Sequence, residues 1–243
     1  MKVLSFVTPL VVIGMLAGCT AVENTTSSIG DDSRTDVLTK ERQQDLTPDE
    51  IIAELKAGND RFVRGDNTPQ DWLRQASVTA DEGQYPKAII LSCLDSRVPP
   101  ELIFDRGIGD IFVGRVAGNF ENTDMLGSME FGTKLAGSKV IVVLGHTSCG
   151  AVKGAIAGAE MGNLTDTLAN IQPAVADARQ SMPDAASDDS AFVQEVVERN
   201  VVRTVRDISE RSPVMAEMIA SGELKVVGAW YDLATGKVTW LDS

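Results

Sequence analysis

Histidine occurs once in this chain, cysteine three times and tyrosine twice, and aromatic residues make up only 5% of it. A single imidazole excludes any site that needs two histidines from one chain. Basic residues are scarce as well, 22 against 35 acidic ones, and the formal charge of −13 repels nucleic acid. Long hydrophobic runs are missing: the longest apolar stretch, Val3 to Leu16, is interrupted by Pro9 and Gly14 and is shorter than the ~20 residues needed to cross a bilayer. Internal repeats are absent. The one loop with glycines at phosphate-loop spacing, Gly145 to Gly150, is not followed by the Lys-Ser/Thr pair that grips phosphates, so nucleotide binding is not expected.

What remains is an ordinary water-soluble composition, 43% hydrophobic and 23% charged, over a length of 243 residues that suits one α/β domain. The amino terminus stands apart from it. Lys2, the apolar stretch and the small residues Ala17 and Gly18 read as a secretory signal over residues 1–18. Leu16-Ala17-Gly18-Cys19 resembles a bacterial lipobox, which implies a lipidated Cys19, a membrane-anchored lipoprotein and a place in the cell envelope. Thr20 in place of Asp favours the outer membrane, facing the periplasm, in a Gram-negative host. Residues 19–46, rich in Thr, Ser, Asp, Asn and Gln, read as the lipidated cysteine with a flexible tether, and residues 47–243 as the folded domain.

Within that domain, Thr47-Pro48-Asp49-Glu50 combines a capping box with proline at the first helical position. It predicts an amphipathic arm helix through Ile51, Ile52, Leu55, Phe62 and Val63 to Gly65. The next segment, to Pro86, reads as irregular. Short apolar runs at Ala88 to Leu91, Ile111 to Val116, Val140 to Leu144 and Leu224 to Trp230 predict buried parallel strands. Thr123 to Ala136 and Ala191 to Ile208 predict helices between them, and the Ala234 to Gly236 turn predicts a carboxyl-terminal edge hairpin. The fold class expected is α/β, a central mostly parallel sheet flanked by helices.

Cys93 ends the first predicted strand, while His146 and Cys149 leave the third, so all three reach the carboxyl edge of a parallel sheet, where ligands bind. Two thiolates and an imidazole form a three-donor shell for Zn²⁺ that leaves a fourth position for water. A disulfide between Cys93 and Cys149, or two free buried thiols, is the alternative from the residues alone. Asp95 and Arg97 lie close behind Cys93, and a guanidinium can hold a carboxylate ionised in a two-point pair beside a metal-activated water.

Cys93-x-Asp95-x-Arg97 with a downstream His146-x-x-Cys149 resembles the signature of the β-class carbonic anhydrases. The likeness extends through Ser96, Val98, Pro99, Glu101 and Gly150, and to Gly58-Asn59-x-Arg61-Phe62 of the arm helix. The resemblance implies zinc held by Cys93, His146 and Cys149, and Asp95 and Arg97 as the catalytic dyad. It implies reversible hydration of carbon dioxide to bicarbonate and a proton by a metal-bound hydroxide. It also implies a homodimer or dimer of dimers in which the arm helix buries Ile51, Ile52, Leu55 and Phe62 against a neighbour. The chain departs from the family pattern at Val116, at Ala151, and at Ile90, which replaces the tryptophan of an inhibitory bicarbonate pocket otherwise matched by Arg115 and Tyr231. Relatives acting on carbon disulfide or carbonyl sulfide would share the same ligands. A non-catalytic zinc lipoprotein would instead close its metal with a fourth protein ligand and have no use for the dyad.

Overall fold

Apolar runs too short for helices sort into one sheet. The computed structural model of the protein describes residues 34–241, so the signal, Cys19 and the first part of the tether lie outside the described residues. Strands β1 (Ala88–Ser92), β2 (Ile111–Arg115), β3 (Val140–His146), β4 (Lys225–Tyr231) and β5 (Val238–Trp240) form a five-stranded sheet in the order β2-β1-β3-β4-β5. The first four are parallel and β5 is antiparallel at the edge, as the hairpin signal predicts. β1 and β3 are buried at every position because helices cover both faces, which is why they read as unbroken apolar runs.

Register sets the working edge. Ser92 of β1 pairs with Arg115 of β2 and Leu144 of β3, and His146 pairs with Tyr231 of β4. The residues just beyond these pairs therefore emerge together.

On one face lie α2 (Pro48–Arg64) and α4 (Pro100–Ile103), which pack Ile51, Leu55 and Ile103 on Ile90, Val142 and Leu144. The capping box of α2 is formed, and Gly65, at φ 73°, ends the helix in the left-handed conformation that glycine adopts without strain. Ile51 and Leu55 are wholly buried in the chain's own core, with Ile52 and Phe62 packed at its margin. The expectation that Ile51 and Leu55 bury against a neighbouring subunit is corrected accordingly: they face the sheet of their own chain.

The other face carries α5 (Thr123–Glu130), α9 (Ser190–Arg211) and α10 (Pro213–Ala220). The helix expected over 123–136 divides, its last turn, Phe131–Leu135, widening into a π-helix. Between β3 and α9 run α6 (Gly150–Ile156), α7 (Asn163–Ala169) and α8 (Gln172–Ser181).

Two segments differ from the sequence reading. The stretch before α2, read as tether, is bound down over residues 34–46. Arg34 donates two hydrogen bonds to buried Asp110, at 2.7 and 3.0 Å. Leu38 and Leu46 enter the core, flanking α1 (Lys40–Asp45), and the buried Gln43 amide donates to Pro86 O and Ala136 O. Polar composition concealed this, because two leucines and one buried amide are enough to hold a short segment. The supposed irregular stretch contains α3 (Trp72–Glu82), in which only Gln75 is buried; with no apolar stripe, its one visible signal is the Asp71 cap on Arg74 N.

Candidate metal centre

Leaving β1, the chain turns at once. Val98 N donates to Asp95 O at 3.0 Å, and Val98 and Pro100 are buried behind the turn, so residues 93–97 form a short loop at the sheet edge. Asp95 organises that loop. Its Oδ1 accepts from Arg97 N and Arg97 Nε, both at 2.9 Å, and its Oδ2 from Arg97 Nη2 at 2.7 Å. This two-point fork holds the Asp95 carboxyl well below the usual carboxylate range, against the opposing effect of burial. Arg115, the last residue of β2, staples the loop from the neighbouring strand: Nε donates to Cys93 O at 2.9 Å and Nη2 to Asp95 O. The sequence reading associated Arg115 only with a bicarbonate pocket. Its place at the end of a strand beside β1 is the signal that could have revealed the staple.

On β3, Gly145 lets α9 approach closely, since a Cβ there would lie 2.8 Å from Val201 Cγ2. His146 comes next, fully buried as the last residue of the strand. Its Nδ1 lies 3.0 Å from Thr147 O. A carbonyl only accepts, so the proton of the neutral ring is assigned to Nδ1, which leaves the Nε2 lone pair free. That buried Nε2 has no partner among the described residues. Ser148, at φ 54°, then turns the chain back so that Cys149 stands at the amino terminus of α6.

The result is one cluster. The ligand atoms of Cys93, His146 and Cys149 all lie within 4.8 Å of one another, and the two sulfurs are 3.9 Å apart. Both thiols are free. A disulfide requires about 2.05 Å, whereas two sulfurs sharing a tetrahedral zinc at about 2.3 Å each lie about 3.8 Å apart. The separation, the orphaned nitrogen and the soft donor set all fit a zinc ion. Asp95 Oδ2 stands 3.9 Å from His146 Nε2, at the rim of the cluster and engaged by Arg97.

Electrostatics favour a thiolate here. The hydrogen bond from Cys149 lowers the Cys93 thiol against the opposing effect of burial, assisted by the amides of Gly118 and Asp95. Cys149 is pushed up by sharing its proton with Cys93 and by burial. Gly118 N donates to Cys93 Sγ at 3.4 Å, a contact that motif spacing does not reveal. Phe120, Val152 and Ile171 pack with both cysteines and give the centre an apolar wall. Ile90, at the position of the pocket tryptophan, is buried in the core on α2's side of the sheet.

Comparisons with known proteins agree with this arrangement. A family model described as carbonic anhydrase matches residues 88–238. Carbonic anhydrase 2 of Mycobacterium tuberculosis is 39% identical over 195 residues, covering 77% of this chain and 90% of that protein. Among solved structures, the β-carbonic anhydrase CafA of Aspergillus fumigatus superposes with a TM-score of 0.61 at 25% identity, covering 69% of this chain and 85% of that one. A tetrameric β-carbonic anhydrase of Sordaria macrospora shares the fold, with a TM-score of 0.63 at 23% identity over 80% of this chain and 98% of its own.

Proposed function

The chain belongs to the β-class carbonic anhydrases, zinc enzymes that hydrate carbon dioxide reversibly to bicarbonate and a proton, and from that premise we propose that Cys93, His146 and Cys149 hold the zinc while Asp95 and Arg97 serve the reaction. The observation that carries this reading is the buried, unpartnered Nε2 of His146 facing two free sulfurs 3.9 Å apart. Zinc, when bound, supplies Lewis acidity that lowers the pKa of a water from about 16 towards 7. The residues of the chain do the rest. Asp95 Oδ2, at the rim of the cluster 3.9 Å from His146 Nε2, would serve as the hydrogen-bond acceptor that orients the reacting water. Arg97 keeps Asp95 ionised and turned away from the donors. Arg115 holds the backbone that carries both Cys93 and Asp95. The apolar wall around the sulfurs suits a nonpolar substrate such as carbon dioxide.

The test is stopped-flow carbon dioxide hydration on metal-analysed protein. One zinc per chain is expected, with Cys93→Ser, His146→Ala and Cys149→Ser each losing most of it. Full zinc occupancy in all three variants would overturn the assignment.

We further propose that the enzyme works as a homodimer or dimer of dimers, anchored by lipid at Cys19 on the periplasmic side of the envelope. Strand β2 is an open edge, and the groove beside it, lined by Ile89, Leu91, Phe112, Met125, Met129 and Phe131, offers apolar surface for a partner. The tetrameric assembly of the Sordaria relative supports the same reading. Lipidation rests on the lipobox alone. Residues 34–46 pack near the amino-terminal end of β2, through Arg34 and Asp110, at the end of the sheet opposite Cys93 and His146.

A further inference from the structure

The buried face of α9 is mostly apolar, and Asn200 interrupts it between Val196, Val197 and Val201. Only 3% of Asn200 is exposed. Its amide Nδ2 donates to Gly118 O at 2.7 Å, and the orientation of the amide is settled because a carbonyl can only accept. Gly118 sits third in the turn Val116 to Asn119, closed by Asn119 N donating to Val116 O at 3.0 Å, and its φ of 90° is the positive value a type II turn requires there. A side chain at this position would collide with Ile171, with Cβ 2.5 Å from Cδ1. Gly118 therefore joins two partners by its two backbone groups: its carbonyl is held by Asn200, and its N–H points at Cys93 Sγ, 3.4 Å away.

We infer that Asn200 is a positioning residue for the zinc site: by holding Gly118 O it ties the Val116–Asn119 turn to α9, and this turn carries, in its neighbouring peptide, the Gly118 N–H aimed at the Cys93 sulfur, and so sets the charge this sulfur donates to the metal. The inference rests on the assignment of Cys93 as a zinc ligand. An N–H donated to a thiolate withdraws electron density from the sulfur and fixes its direction, and such outer contacts commonly govern metal affinity by roughly 10–100-fold. No other buried side chain among the described residues holds Gly118 O. Without Asn200, the turn keeps its Asn119 N to Val116 O bond but loses its tie to α9, so the Gly118 N–H shifts relative to the sulfur while the three ligands remain.

Two variants remove the donor differently. Asn200→Asp keeps the shape but sets an acceptor against Gly118 O, and Asn200→Leu suits the apolar face of the helix. Ile208→Ala, buried on the same face but without a link to the Gly118 turn, serves as the control for loss of packing. Zinc affinity is measured by competition with a chromophoric chelator, and the sulfur-to-metal charge-transfer band is recorded on the cobalt-substituted enzyme. Both Asn200 variants are expected to bind zinc roughly 10–100-fold more weakly, because the direction of the Cys93 sulfur is no longer fixed, and to shift the band to longer wavelength, because a sulfur without its N–H donor is more easily oxidised by the metal in the charge-transfer transition. Ile208→Ala is expected to lower the melting temperature and leave affinity and band unchanged. Wild-type protein loaded with a spin-active cadmium isotope gives a readout independent of variant folding, because the Gly118 amide proton should show scalar coupling to the metal through the sulfur. Unaltered affinity and band in the Asn200 variants, equal shifts in Ile208→Ala, or no coupling in the wild type would overturn the inference. Wild type that binds no zinc through Cys93 would instead sink the ligand assignment on which it stands.

Discussion

In the proposed mechanism activity turns on Asp95, whose carboxylate stands beside the three donors and is kept apart from them by one guanidinium. Arg97→Ala is expected to retain zinc and lose hydration rate by about 100-fold or more, the range for removing a group that positions a proton acceptor; metal analysis alongside stopped-flow rates checks both parts. The fork also has a pH signature. Asp95 is depressed in the folded protein, so the stabilisation it gives is fully present above the ordinary carboxylate range near 3.9 and is lost only as pH falls through the lowered value. Asp95 therefore contributes no acid limb to the rate between about pH 5 and 8. In Arg97→Ala its pKa moves back up, and an acid limb is expected to enter from the low-pH side. A wild-type limb near neutrality that vanishes in Asp95→Asn would contradict this. Arg115 invites a finer substitution: Arg115→Lys keeps the charge but cannot reach Cys93 O and Asp95 O together. It should lower the rate about tenfold while zinc stays bound, as expected for a contact that aligns reacting groups; stopped-flow hydration with metal analysis reads both.

Among the elements, the segment from Arg34 to Leu46 has the most unexpected role. It crosses the amino-terminal side of the sheet, seats two leucines in the same core as α2, and satisfies buried carbonyls through Gln43. Leu38→Ala and Leu46→Ala should each cost about 2 kcal/mol or more, as buried leucine truncations do. Gln43→Leu strands Ala136 O and should cost about 1–3 kcal/mol. Urea denaturation measures all three, and a chain beginning at Thr47 that unfolds at the same midpoint as the full domain would show the segment to be a passive tether after all. The strands tell the complementary story: β1 and β3, at whose carboxyl ends the proposed ligands stand, are the central, fully buried pair, whereas β2 is only partly covered and remains available as an edge.

For the whole molecule, the unpaired edge of β2 and the apolar surface around Phe131 and Leu135, 55% and 77% exposed, are the features that call for a partner. Light scattering should report a dimer or tetramer, and Phe131→Asp with Leu135→Asp should shift it towards monomer; a fully active wild-type monomer would remove the proposal. The anchor is separable from this. Globomycin should block maturation, and Cys19→Ala should move the enzyme from the membrane to the soluble fraction with its hydration rate intact. An unchanged membrane fraction would refute lipidation.

Local chemistry made much of this legible in the residues. The capping box and Gly65 bounded α2, and the apolar runs located the parallel strands. The order Cys93, Asp95, Arg97, His146, Cys149 pointed to a zinc centre, since parallel strands bring the residues at their carboxyl ends to one edge of the sheet. Other features depended on contacts between segments far apart in the chain, which no local pattern encodes. Polar residues 34–46 looked free because their two leucines and Gln43 find partners only once the sheet exists. The family resemblance assigned the stripe of α2 to a neighbouring subunit, and periodicity could not correct it, because it states that a face is buried without stating against what. Arg115 and Gly118 gained their roles from meeting Cys93 across β1, and Asn200 from reaching Gly118 across the fold, where a single hydrogen bond links α9 to the turn beside the metal ligands.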